Sequence, residues 1–346
     1  MTTTETATPE SRVRSEVYAA VAEFARPKAR MAMGQILNTL LPYLGLWAAM
    51  VLTVRAGWPY AVTLGLAILA AGFHVRVFIL FHDCCHGSFF GDARANRLLG
   101  YVTGILTFTP FEQWRRSHAE HHASVGDLDR RGAGDVWTMT LSEYRAASRL
   151  RRFVYRVFRN PLIMFGLGPV IVFVFGHRFA KKGAAPAERR SVVRTNLALL
   201  ALLVLVHFTI GLRTYLLIIT PILLVAGAAG VWLFYVQHQF EGVYWARHAA
   251  WDPLAAAMRG SSYYKLPKAL QWITGNIGLH HIHHVQSRIP NYNLQTVQDR
   301  VAAFQAVRPL TLRSSLRSLR LRLWDEAAQR LVGFPGRESG STAAAI

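Results

Sequence analysis

The chain has 346 residues, 52% hydrophobic and only 17% charged, a balance too apolar for an ordinary soluble enzyme. Lys and Arg number 39 against 19 Asp and Glu, a net charge of +20. Beside long apolar segments, that charge points to anionic lipid headgroups and an acidic protein partner and away from nucleic acid. The two cysteines, Cys84 and Cys85, are adjacent, which excludes a disulfide framework and reads as reduced thiols.

In chain order, residues 1–30 show no basic-then-apolar leader and read as a polar N-terminal tail, with a short helix from about Ser15. Residues 31–54 and 56–75 carry no Asp, Glu, Lys or Arg, and the second run stays apolar to Phe81. About 20 apolar residues span a bilayer, so the sequence predicts a membrane hairpin with spans 31–54 and 56–81, turning at Arg55 and Gly57-Trp58-Pro59. Residues 98–111 are apolar but too short to span. Residues 160–177 are borderline, and basic residues flank both ends: Arg151, Arg152, Arg156 and Arg159 before, Arg178, Lys181 and Lys182 after. Positive flanks belong on the cytoplasmic side, so this segment is expected to lie in the interface or dip in and return. A second hairpin follows, 195–212 and 214–236, with Arg213 between.

The expected fold is therefore an all-α integral membrane protein: four transmembrane helices in two hairpins, under a cytosolic helical cap. The membrane domain covers 31–310, both termini are cytoplasmic, and the setting is the cell membrane. Residues 311–346 read as an amphipathic helix and tail, with Leu312, Leu316, Leu319 and Leu323 at helical spacing among arginines.

Three histidine clusters sit where the apolar runs end: His82 and His86; His118, His121 and His122; His280, His283 and His284. Each has i, i+3 or i+4 spacing, so each box offers two or three imidazoles to one point on a helix face. Imidazole suits iron, zinc or copper, and an ion takes about six ligands at most. Eight histidines overfill one ion and fit two, with positions left for oxygen, substrate or water. Asp83, Asp127, Asp129, Asp135 and Glu241 are near enough in sequence to fix the second ring nitrogens. Trp232, Phe234 and Tyr235 are candidates to line an apolar tunnel, and Arg115, Arg116 and Arg288 to meet a lipid phosphate.

These boxes, HxxxH, HxxHH and HxxHH, resemble those of the membrane fatty-acid desaturase superfamily over about residues 40–310. HDCCHGSFF, GDLDRRGAGDVWTMT, FRNP, VWLFYVQHQFEG and GNIGLHHIHH are similar to the delta-12 (omega-6) acyl branch. The branch usually reads QHQFEDTYW where this chain has Gly242 and Val243, and has glycine at Cys85. The resemblance implies a non-haem diiron site, with two Fe ions on the eight box histidines and His238 in an extra ligand position. It implies O2-dependent desaturation of a long-chain acyl group on lipid, CoA or carrier protein, introducing a second cis double bond. With no fused electron carrier in sight, an acidic donor such as ferredoxin is implied. A sister hydroxylase, ketolase or acetylenase shares the same boxes. A histidine-site metal transporter, the reading from another class, calls for ligands near mid-bilayer.

Overall fold

The computed structural model describes residues 9–132 and 134–335. Its elements begin with α1 (Pro9–Ala22), α2 (Ala29–Arg55), α3 (Tyr60–His86), α4 (Ala93–Leu106) and α5 (Phe111–Ser124). The two-residue strand β1 (Met139–Thr140), α6 (Leu141–Ala146) and α7 (Arg149–Phe158) follow, then a π-wound stretch from Leu162, α8 (Pro186–Thr209) and α9 (Leu212–His238). The cap continues with α10 (Pro253–Arg259), β2 (Tyr264–Lys265), α11 (Lys268–Ile273), α12 (His280–Val285), α13 (Asn291–Arg300) and β3 (Leu310–Thr311). A hairpin of β4 (Leu323–Asp325) and β5 (Arg330–Val332) ends the described chain. The sheets are minor: β4 pairs parallel with β1 and antiparallel with β5, and β2 pairs parallel with β3.

Four helices, α2, α3, α8 and α9, are long and apolar enough to cross a membrane, and they form the two expected hairpins. Outward faces carry exposed Leu37, Leu41, Leu44, Leu197 and Leu200, which lipid covers. The inner seam is Tyr43, Met50, Ala67, Ala70, Val77, Ile218 and Ile222. Ala67, Ala70 and Ala71 are fully buried on α3, and such small side chains let neighbouring backbones approach closely. α3 and α9 are the second legs of their hairpins, so they run the same way and end on the same side. Both overrun the predicted spans, to His86 and His238, so box histidines ride on the spanning helices themselves.

The segment expected in the interface, 160–177, is helical and set at an angle to α7. α7 and the helix from Leu162 to Arg178 meet at a 59° bend at Pro161. α7 exposes Leu150, Phe153 and Val154 beside its arginines, as a helix lying in a membrane interface does. The termini differ from expectation. Within the predicted tail 1–30, α1 starts at Pro9, and its Val17 and Val21 pack with Phe24 against Ile282, Leu294 and Val297. The short helix expected from about Ser15 is thus present but starts earlier and is docked on the cap. The predicted C-terminal helix of 311–346 reaches only Arg320; Leu323 then enters β4, fully buried, because β4 is the central strand between β1 and β5. The expected tail beyond 335 lies outside the described residues.

Candidate metal centre

The first box forms because α3 continues past the membrane and stops sharply. Gly87 takes a left-handed conformation (φ 65°), and the Gly87 and Ser88 amides close on the Cys84 and Asp83 carbonyls. That fixes His82 and His86 in the last turn. The second box lies on α5, which begins after Pro110, and Trp114 stacks on His118 one turn away with ring centroids 4.2 Å apart. The third occupies the six-residue α12, held from behind by Leu279, Ile282 and Val285 in the core that α1 closes.

All nine candidate histidines come together, in two sets. His82, His86, His118, His122 and His283 form one, and His121, His238, His280 and His284 the other; within each set the donor atoms lie within 4.8 Å of one another. The sequence expectation that each box serves one point is corrected here. Residues i and i+4 differ by about 40° around a helix, whereas i+3 and i+4 differ by about 100°. Each HxxHH box therefore keeps its i, i+4 pair in one set and lends its i+3 histidine to the other: His121 joins His280 and His284, and His283 joins His118 and His122. The sets touch where the His122 and His284 rings stack at 4.1 Å.

Spacing and chemistry fit metal ions. Nε2 atoms of neighbouring members stand 3.0 Å apart for His82 and His118, 3.2 Å for His118 and His122, and 3.1 Å for His122 and His283. In the second set the separations are 3.1 Å for His121 and His238, 3.0 Å for His238 and His280, and 3.1 Å for His280 and His284. Two nitrogens about 2.1 Å from one ion and at right angles to each other lie about 3.0 Å apart. Where the proton is held on Nδ1, facing Nε2 atoms such as those of His121 and His238 set lone pair against lone pair, which a cation relieves. His86 Nε2 is buried with no hydrogen-bond partner at all. Burial, and secondarily the neighbouring imidazoles, push His118, His122, His280, His283 and His284 well below the ordinary imidazole range, leaving them neutral with a lone pair to give.

Three second nitrogens are fixed. His82 Nδ1 meets Asp83 Oδ1 at 3.2 Å, His121 Nδ1 meets Asp135 Oδ1 at 2.5 Å, and His238 Nδ1 meets the Gly260 carbonyl at 3.2 Å. Each bond holds the proton on Nδ1 and aims Nε2 inward. Asp83 also accepts from the Asn291 backbone at 2.7 Å and from its side-chain amide at 2.8 Å, and Asn291 pairs with Gln35. Nothing in the spacing of Asn291, Gln35 or Gly260 marks them; only the tertiary fold brings them here.

Other sequence candidates go elsewhere. Asp127 is fully buried against His248 Nδ1 at 2.7 Å, Asp129 pairs with Arg247 at 2.6 Å, and exposed Glu241 faces Arg317 at 3.5 Å. The loop after α5 carries both aspartates away from the boxes, and Glu241 lies beyond the end of α9 pointing to solvent. Arg115 is paired with Glu112, and Arg116 with Glu120 and Glu188, whereas exposed Arg288 has no carboxylate partner among the described residues. Of the proposed tunnel aromatics, Phe234 lies against His121 and His238, with centroids 5.3 and 5.4 Å away. Tyr235 donates to the Ser318 carbonyl and Trp232 to the Tyr264 hydroxyl, roles that tie α9 to the cap.

Comparison with known proteins bears on this site. Residues 56–315 match the model of the family described as "Fatty acid desaturase". The chain is 48% identical over 314 residues to a "Fatty acid desaturase" of Bacillus subtilis, covering 91% of this chain and 89% of that one. It is 24% identical over 234 residues to the "sn-1 oleoyl-lipid 12-desaturase" of Synechocystis, covering 63% and 62%. It is 28% identical over 253 residues to the chloroplastic "sn-2 acyl-lipid omega-3 desaturase (ferredoxin)" of Arabidopsis thaliana, covering 68% of this chain and 52% of that protein.

Proposed function

The chain belongs to the fatty acid desaturase family, and from that premise we propose that it introduces a second cis double bond into a mono-unsaturated acyl chain at a histidine-bound diiron centre. It is a membrane oxidoreductase acting on fatty acyl chains. Two iron ions, when bound, would supply the activation of O2 that removal of two hydrogens requires, with two further electrons completing its reduction to water. The first would be held by His82, His86, His118, His122 and His283, the second by His121, His238, His280 and His284. The observation that carries this reading is the convergence of nine imidazoles, five buried and four half-buried, into two sets where α3 and α9 end.

The protein's own contribution is to orient donors and hold the acyl chain. Asp83, Asp135 and the Gly260 carbonyl keep three rings in the donor tautomer. Which bond forms follows from which methylene the protein holds beside the centre. The name of the Synechocystis relative, an oleoyl-lipid 12-desaturase, supports a mono-unsaturated substrate, and that of the Arabidopsis relative supports ferredoxin as donor. Basic residues flank both ends of the bent 149–178 segment, which supports a cytoplasmic face for the centre and for both termini, in the cell membrane. Location of both donor sets at helix ends, not mid-span, weighs against a metal transporter.

The test is expression in a host that lacks polyunsaturated lipids. New dienoic fatty acid should appear with oxygen present and be absent from the His121→Ala variant. A hydroxylated or acetylenic product would instead make the chain a sister oxygenase on the same fold.

A further inference from the structure

A cavity of about 790 Å³ opens between the start of α2 and the α11–α13 region of the cap. Arg30, Arg76, Lys265 and Lys268 line it, and its wall contains no Asp or Glu. Among the described residues, none of these four cations is paired with a carboxylate. Four like charges around one hollow repel each other, and an anion inside relieves that repulsion.

Arg76 is the most telling. It lies on spanning helix α3, is only 3% exposed, and has neutral partners throughout. Its Nε donates to Thr39 Oγ1 at 3.0 Å, one terminal nitrogen to Asn38 Oδ1 at 3.3 Å, and the other to the Trp272 carbonyl. The guanidinium also stacks over the Trp272 ring at 4.0 Å. A guanidinium has five N–H groups, so two remain for a ligand. A buried, uncompensated cation at membrane depth is costly, and planar guanidinium is well matched to phosphate oxygens. A second polar atom waits in the same wall: Gln271 Oε1 is buried without a donor, and a head-group hydroxyl or amine would satisfy it.

The rim of the cavity is apolar and exposed. Met31 and Trp272 on its rim are 48% and 43% exposed, and Leu270 beside them is 43% exposed. Its wall also includes Gln35 and Asn291, which bond each other; Asn291 in turn donates to Asp83, whose other oxygen meets His82. A ligand beside Asn291 is thus two hydrogen-bonded residues, Asn291 and Asp83, from the metal donor His82.

From these observations we infer that the cavity is a phosphodiester head-group site and that the acyl substrate is presented as an intact glycerophospholipid. This rests on the acyl desaturase reading above. Phosphate also occurs in acyl-CoA, in carrier-protein thioesters and as the free ion. The bilayer lipid is favoured because Arg76 lies six residues before His82, about 9 Å back along α3 toward the membrane.

The experiment measures binding separately from turnover. Delipidated, iron-loaded full-length protein in detergent is titrated with dioleoyl phosphatidylglycerol and read by native mass spectrometry. Arg30→Glu combined with Lys265→Glu and Lys268→Glu should weaken retention at least tenfold. Arg300→Glu with Arg308→Glu, which reverses exposed charges away from the cavity, should not. Millimolar inorganic phosphate or oleoyl-CoA should fail to displace the lipid. Equal retention by the triple variant, or displacement by either competitor at its own stoichiometric site, overturns the proposal. Turnover on the same samples separates the two readings: desaturation with charge-independent lipid binding removes the head-group site alone. Charge-dependent binding without desaturation by the donor-supplied protein removes the functional reading and leaves the site.

Discussion

Asp135→Asn tests how the second donor set is built. In the native chain Asp135 Oδ1 lies 2.5 Å from His121 Nδ1, with the carboxylate side chain 9% exposed and the imidazole 1%. The substitution keeps an oxygen that can accept from Nδ1–H but removes the charge that assists the bond. Loss of such an outer partner costs roughly 10–100-fold in metal affinity, or about 1.4–2.8 kcal/mol. The cost falls on one set. His121 is one of four donors there, while in the five-donor set the carboxylate partner is Asp83, on His82. Equilibrium dialysis of apo-protein against graded Fe(II)–chelator buffers under argon should give a two-step curve for the variant. Its weaker step should move by one to two decades and its tighter step should stay in place. Unchanged affinity at both steps would show that Asp135 does not orient His121. An equal shift in both would show that the two sets are not separate sites.

His207 is exposed on α8, away from both sets, and His207→Ala should keep its iron and most of its desaturation, whereas His86→Ala, His121→Ala and His283→Ala should lose activity. Arg159 is fully buried, donating to Tyr235, Gln239 and the Leu321 carbonyl; Arg159→Ala should lower stability by on the order of 3 kcal/mol, seen as a lower midpoint in thermal unfolding in detergent. Single cysteines introduced near Arg55 and Arg213 should label from outside the cell and one near Lys181 should not; outside labelling at Lys181 would make the bent 149–178 segment a fifth span. With an acidic ferredoxin as donor, turnover should fall as salt rises, because screening shortens the reach of surface charge to about 8 Å at physiological ionic strength.

The spans and the boxes were legible in the sequence because both are written as local patterns: charge-free runs of bilayer length and histidines at helical spacing. His238 was legible only through resemblance, since a single histidine after an apolar run carries no spacing signal. The sorting of ligands into two sets was not read, although helix geometry contains it, because treating each box as one face overlooks the 100° between His121 and His122. Distant pairings left no trace either. Asp127 looked as good a partner as Asp135, and the turn at Gly126 (φ 75°) sends one to His248 and leaves the other beside His121. The docking of α1 and its start at Pro9, ahead of the helix expected from about Ser15, were missed for the same reason, as its apolar stripe has meaning only against Ile282 and Leu294.

The central claim is acyl desaturation at two irons per chain. Its most direct test is a single turnover: protein loaded anaerobically with Fe(II), given its lipid substrate, exposed to O2 with no external donor, and quenched for fatty-acid analysis. Two Fe(II) ions supply two electrons, and the substrate supplies the other two that convert O2 to two waters. The expected yield is up to one new double bond for every two irons, with none from apo-protein or zinc-loaded protein. Double bonds formed in proportion to a single iron, or a hydroxylated chain in their place, would contradict the account.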